Sequence, residues 1–154
     1  MRKQMTRVFD ELLSNSTDVV YIGEDVQHGG YYLVTDGLAK KHPYRVADFP
    51  PDETSLLGVG VGYAQAGMTP IVEIPYAKYL DCAADMFHEA IIMNWLSNGA
   101  QPNGMLFRLQ GFDKGVFGRT GCGLLLQRYR LCTWYAILHA PGPCRPCRYE
   151  CRLH

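Results

Sequence analysis

Glu24 and Asp25 close a short apolar run, Glu53 follows Pro50-Pro51-Asp52, and Asp85 opens a second apolar segment. A carboxylate at such a place can do one of two things. It can complement the positive end of a helix dipole, worth about 0.3–1 kcal/mol, or, once desolvated, it can hold a proton near neutral pH and share it with a ligand. For Glu53 the residues by themselves leave both accounts open, and Glu24 and Asp85 are read in the same way. Tyr79 is either a core residue or a stacking platform. His28 falls in a loop and His88 in a helix, and neither stands at metal-ligand spacing from other donors, so no metal site is expected.

Gly58-Val59-Gly60-Val61-Gly62 invites a dinucleotide reading, but its third glycine comes one residue too early for that fingerprint and the run lies inside a helix. A steric account fits better. Gly58, Gly62 and Ala66 recur every four residues on one helical face, which lets another helix approach closely, within the fold or between subunits.

The elements that must position these residues follow from apolar periodicity. Met5, Val8, Phe9, Leu12 and Leu13 mark an amphipathic helix broken at Ser14-Asn15-Ser16. Val19 to Ile22 reads as a strand buried on both faces, with Glu24 and Asp25 at its carboxyl end. Arg45 to Phe49 is a second strand. Pro50 to Thr54 carries helix-start signals, with Asp52 as N-cap, and Leu56 to Ala66 is the helix, ended by Gly67. Pro70 to Pro75 is a third strand, Asp81 to Leu96 a helix capped by Asn98-Gly99, and Met105 to Leu109 a fourth strand before the loop Gly111 to Gly118. Alternating helices and continuously apolar strands predict an α/β fold with a parallel sheet covered on both faces. Ligands of such sheets bind beyond the strands' carboxyl ends, so Glu24, the Pro50 to Thr54 turn and Pro75 to Tyr79 should share one rim.

Composition adds a boundary. The 154 residues carry no net formal charge, which argues against a nucleic-acid partner, yet residues 1–118 hold fourteen acids and nine bases while 119–154 hold one acid and six arginines. Five of the six cysteines also fall in that last stretch. The opening residues lack a signal-peptide pattern, and the uncharged stretch Ser55 to Val72 is interrupted by four glycines and Pro70, so export and membrane insertion are not expected. The chain is expected to be soluble and intracellular, in the mitochondrial matrix if eukaryotic and otherwise cytoplasmic.

Taken in order, these segments carry a family resemblance. Gly23-Glu24-Asp25-Val26 with Gly29-Gly30, then Asp48-x-Pro50-x-x-Glu53, Gly58-Val59-x-x-Gly62 with Ala66-Gly67, Pro70-Ile71-Val72-Glu73-Ile74-x-Tyr76-Ala77-x-Tyr79, and Asp85 are similar to the aminopyrimidine-binding domain of thiamine diphosphate enzymes. Within that group the chain most resembles, from about residue 5 to 118, the beta subunit of the decarboxylase component of 2-oxo acid dehydrogenases of the pyruvate and branched-chain type. The resemblance implies that Glu53 exchanges a proton with N1′ of the cofactor's pyrimidine, so that the 4′-amino group can act as the base. It implies that Tyr79 packs on that ring, that Glu24 and Asp85 join Glu53 in a proton path between paired sites, and that Gly58, Gly62 and Ala66 lie at a subunit contact. An alpha subunit and a beta–beta contact are the implied partners.

Departures from the family pattern bound this. Pro51 and Pro75 stand where the family lines the cofactor with an aliphatic residue and with a polar or thioether residue. The Gly-Asp-Gly and paired-asparagine pattern that holds Mg²⁺ and the diphosphate is absent, as is the family's histidine after the Gly111 to Gly118 loop. The resemblance therefore implies that thiamine diphosphate is shared with a partner that holds the Mg²⁺.

Past Gly118 the resemblance stops. The Arg, Cys and Pro-rich end has no lysine and no aspartate, and is expected to be a divergent tail of out-of-frame or misspliced origin. Cys144, Cys147, Cys151 and His154 could form a zinc set, but they crowd into eleven residues without the intervening element such sites use. Leu124 to Ala140 reads as a helix. The expected function is the pyrimidine-binding part of a 2-oxo acid dehydrogenase beta subunit, inactive alone. The alternatives are a non-catalytic module that pairs with the alpha subunit and regulates assembly, and a transketolase-like or deoxyxylulose-phosphate-synthase-like enzyme.

Overall fold

A computed structural model describes residues 2–101, 104–109 and 137–138. Helix α1 (Arg2–Asn15) leads into β1 (Val19–Gly23), and two short 3₁₀ turns, Val26–His28 and Tyr31–Leu33, lead to the brief helix α2 (Leu38–Lys41). Strand β2 (Val46–Asp48) precedes α3 (Glu53–Gln65), β3 (Thr69–Ile74), a 3₁₀ stretch Ala77–Ala83, α4 (Ala84–Leu96), β4 (Leu106–Leu109) and β5 (Ile137–Leu138). The strands form one sheet in the order β2-β1-β3-β4-β5, and every pair is parallel.

All five residues of β1 are buried, as a central strand covered on both faces requires. Side chains alternate across the sheet. Tyr21, Val46 and Ile71 join Phe9 and Leu13 of α1 on one face, while Ile22, Val72, Ile74 and Phe107 pack with Leu56, Leu57 and Phe87 of α3 and α4 on the other. The α/β class and two-sided cover expected from the sequence are present.

Three local details decide where the helices sit. Asp52 caps α3, accepting from the Ser55 amide at 3.4 Å and from its hydroxyl at 2.5 Å. Gly60 sets the height of α3 over the sheet, because a Cβ there would lie 2.8 Å from Val72 Cγ2. Gly23, at the end of β1, is as constrained, since a Cβ would lie 2.7 Å from Val26 Cγ1 and 3.0 Å from Glu73 Cβ.

Two expectations are corrected. The helix anticipated from Asp81 begins only at Ala84, after a 3₁₀ stretch. The Cys82 carbonyl accepts from Thr54 Oγ1 at 2.9 Å, and the Met86 amide donates to Asp85 Oδ1 at 2.8 Å, so both groups that would carry the α-helix back a turn have other partners. Within the segment read as a helix from Leu124 to Ala140, Ile137 and Leu138 stand in a strand instead, opposite Phe107 and Arg108. That pairing satisfies backbone groups of β4 which an edge would leave open. The rest of that segment, the Gly111 to Gly118 loop and the cysteine set lie outside the described residues.

Candidate functional site

The carboxyl ends of β1, β2 and β3 open onto one rim, where the acids gather. Glu53 is the first residue of α3, half-buried, with Asp52 taking the capping role. Glu24 directly follows β1. Its Oε1 is buried without a hydrogen-bond partner among the described residues. Burial pushes the Glu24 carboxyl above its ordinary value of 4.5, and the negative charges of Glu53 and then Glu73 push the same way. Glu24 is thus the rim acid whose carboxyl is pushed toward its protonated form, with the Glu53 charge acting in that direction.

The aromatic wall is built from Tyr31, Tyr76 and Tyr79. Tyr31 and Tyr76 meet edge to face at 5.1 Å, and Tyr76 and Tyr79 at 5.5 Å. The Tyr79 ring packs against the Leu56 and Leu80 side of the core, with the Lys78 ammonium 4.7 Å from its centroid. Thr54 ties the start of α3 to this 3₁₀ stretch through the Cys82 carbonyl. Pro75 is buried at the end of β3, and Pro51 is exposed before α3.

The remaining sequence candidates are distributed differently. Asp85 is exposed in the first turn of α4, with Oδ1 accepting from the following amide. A Cβ at Gly58 would lie 3.6 Å from Met86 Cε of α4, whereas one at Gly62 would meet nothing within 4 Å and Ala66 is exposed. One end of the stripe therefore packs inside the fold and the other is open. His88 is exposed. His28, without a partner in the sequence spacing, is brought by β1 and β2 to 3.3 Å from Asp25 and 3.4 Å from Asp48. These three donors lie within 4.8 Å of one another, but Asp25 and His28 are exposed and Asp48 Oδ1 already accepts from the Gln27 amide, which makes a solvated charge cluster.

Sequence reasoning missed a buried ionic group just under the rim. Glu73 on β3 is fully buried and accepts from the Tyr21 hydroxyl, while Arg108 on β4 places Nη1 2.5 Å from Glu73 Oε1. Burial raises the Glu73 carboxyl and the Arg108 guanidinium opposes that rise; burial followed by the Glu73 charge lifts the Tyr21 hydroxyl well above 10.0. A signal existed. Glu73 and Arg108 are the lone charges in two otherwise apolar strands, opposite in sign, and the parallel register sets them side by side. A separate cavity of about 470 Å³, lined by Arg2, Lys3, Arg7, Asp10, Asp36 and Lys41 among others, shares no residue with the rim.

Comparison with known proteins agrees with this arrangement. The family described as transketolase, pyrimidine binding domain, matches residues 1–123. The chain is 36% identical over 102 residues to the 2-oxoisovalerate dehydrogenase subunit beta of Pseudomonas aeruginosa, covering 64% of this chain and 29% of that protein. It is 32% identical over 154 residues to the mitochondrial pyruvate dehydrogenase E1 component subunit beta of Caenorhabditis elegans, covering 97% of this chain and 41% of that protein. Its human counterpart is 32% identical over 146 residues, covering 92% and 38%. The chain thus spans less than half the length of these relatives. A parallel sheet with its acids gathered at the carboxyl rim, and a family match over residues 1–123, lead to one conclusion: the chain belongs to the transketolase pyrimidine-binding domain family.

Proposed function

We propose that this chain is the pyrimidine-binding part of a thiamine diphosphate-dependent 2-oxo acid dehydrogenase beta subunit, completed by an alpha subunit that holds Mg²⁺ and the diphosphate. The observation that carries the proposal is the acid pair at the rim. Glu24 Oε1 is buried and unpartnered, its carboxyl is inclined to keep a proton, and Glu53 couples to it from the start of α3. That orphaned oxygen leaves Glu24 free to exchange a proton with the rim. The Tyr76 and Tyr79 rings offer an apolar wall against which a flat heterocycle can lie.

Thiamine diphosphate, when bound, supplies the carbon nucleophile that attacks the 2-oxo acid. The chain's own residues hold and move a proton. Glu53 would hold the pyrimidine at N1′ and exchange a proton there, Glu24 would supply a proton reserve, and Asp85 would continue the path toward a paired site. Tyr79, together with Pro75 and Pro51, would exclude water from the ring. Of the stripe Gly58, Gly62 and Ala66, the open end at Gly62 and Ala66 forms a beta–beta contact, while Gly58 seats α4 within the fold. Residues 1–118 form this domain and 119–154 a divergent tail, apart from the strand that Ile137 and Leu138 add to the sheet.

The test is reconstitution with a cognate alpha subunit, thiamine diphosphate and Mg²⁺. A full-length beta chain carrying the Glu53→Gln change should lose about 10²–10⁴-fold in 2-oxo acid decarboxylation, the usual range for a positioned acid–base group. Unchanged turnover removes the role of Glu53. The 154-residue chain should show no turnover, and robust turnover would overturn its assignment as incomplete. A second reading is a non-catalytic module that pairs with the alpha subunit and regulates its assembly, through the open end of the glycine stripe at Gly62 and Ala66. Co-elution with the alpha subunit and loss of decarboxylation on adding this chain to a working alpha–beta pair would support it.

A further inference from the structure

We propose that His42 is a pH-sensitive clasp on the edge strand β2: a proton taken up at its Nδ1 releases Arg45 and loosens the strand that leads to Glu53. The clasp lies at the amino end of β2, the opposite end of the strand from the rim acids. His42 Nε2 meets Asp10 Oδ1 of α1 at 2.8 Å, and Lys41 of α2 holds the other oxygen of that carboxylate. Arg45 reaches His42 Nδ1 through Nη2 at 3.2 Å and the Ser16 carbonyl through Nη1 at 2.6 Å. The imidazole is buried, at 7% exposure, and Arg45 is half-buried.

Elimination places the hydrogen on the ring. A guanidinium only donates, so Nδ1 has to accept, and the hydrogen of the neutral ring sits on Nε2, where the Asp10 carboxylate takes it. Both ring nitrogens are then in use. A second proton can go only on Nδ1, where it faces the Arg45 guanidinium across 3.2 Å, so the protonated ring and the Arg45 bond exclude one another. Neither described acceptor of Arg45 is a carboxylate that would offset the repulsion.

Arg45 is the residue before β2, and its carbonyl accepts from the Tyr21 amide at 2.7 Å, the bond that starts the pairing of β2 with β1. The strand has three residues and β1 as its one neighbour, so it has little else to hold it. It ends at Asp48, five residues before Glu53. The other charged groups do not act in the same sense. Lys41 first and then His42 hold the Asp10 carboxyl below its ordinary value of 3.8, so Asp10 stays ionised while a histidine titrates. His28 lies beside Asp25 and Asp48 at the far end of β2, and a proton there draws the strand toward its neighbours instead of releasing it.

Ring-nitrogen NMR and amide exchange on the intact 154-residue chain test this without any activity assay. Neutral His42 should carry its hydrogen on Nε2. As the ring protonates, the Tyr21 and Phe49 amides, which join β1 to β2 through the Arg45 and Gly23 carbonyls, should lose about 2- to 10-fold in protection after correction for the intrinsic pH dependence of exchange, the worth of one hydrogen bond. His42→Asn keeps an acceptor for Arg45 that no proton can occupy and should hold that protection constant. Because a change at a buried ring can unfold the chain, Arg45→Met at the half-buried partner provides a second measurement: with the guanidinium gone, His42 should protonate at higher pH than in the parent. A merely structural histidine would not show that shift. A neutral ring with its hydrogen on Nδ1, a His42 titration unmoved by Arg45→Met, or protection of Tyr21 and Phe49 that stays level as His42 protonates each overturns the proposal.

Discussion

Glu24 and Glu73 stand within one residue of each other in the row across β1 and β3, and both have lost water around their carboxyl groups, yet they are served differently. Glu73 accepts from the Tyr21 hydroxyl and lies in ion-pair contact with Arg108, whereas Glu24 has no ion-pair partner among the described residues; Oε1 of each acid makes no hydrogen bond among them. The difference separates an acid that holds the fold in register from an acid left open for a proton or a ligand. A buried ion pair is seldom worth more than a well-packed apolar substitute, but half of one is strongly destabilising. An unsatisfied buried oxygen is a standing cost that a fold keeps where something else is to meet it.

The largest expected effect lies on the paired side. Arg108→Ala strands the Glu73 carboxylate and should cost about 3–5 kcal/mol in urea unfolding, whereas Glu73→Leu/Arg108→Met should recover most of that loss. Recovery failing would mean that the pair contributes more than mutual neutralisation. Next is the contact that seats α3 on the sheet. Gly60→Ala pushes a methyl group against Val72 and should cost about 1–3 kcal/mol as overpacking, and a melting temperature equal to that of the parent would show that α3 can lift freely.

Glu24 itself should behave in the opposite sense to Arg108. Its carboxyl pKa is raised in the folded chain, so the proton is bound more tightly folded than unfolded, and stability is fully present at acid pH and declines as pH rises through the folded pKa. Glu24→Gln removes that decline. The variant should match the parent at low pH and exceed it slightly above the ordinary carboxylate range, by less than about 1 kcal/mol once solvent screening of this partly exposed group is allowed for. A Gln variant less stable than the parent at neutral pH would show that Glu24 is ionised and partnered. The smallest effect belongs to the exposed Arg7–Glu11 pair on α1, where Arg7→Ala should change stability by about 0.2–0.5 kcal/mol, lost in high salt.

Much of this organisation was legible in the residues. The continuous apolar character of Val19 to Ile22 marks a strand covered on both faces, Asp52 marks the start of α3, and Glu24 and Glu53 are marked as rim acids by their places after a strand and at a helix start. The start of α4 was misjudged because it turns on Thr54, twenty-eight residues away, taking the Cys82 carbonyl. Gly58 and Gly62 stand out by their spacing, and Gly58 faces α4, but the close approach of Gly60 to the sheet is not legible in the repeat, since the direction a helix turns is chosen by its packing. Ile137 and Leu138 were drawn as helix because an apolar stretch of that kind serves either structure, and the open edge of β4 selects the strand.

The sequence alone determined the alternation of elements, the two-sided burial of the strands and the placing of Glu24 and Glu53 at strand and helix ends, because these depend on local periodicity and capping chemistry. Only the tertiary structure decided which acid is paired and which is open. That distinction depends on parallel register, which sets Arg108 beside Glu73 and Gly23 beside both, and register joins residues that no local pattern connects.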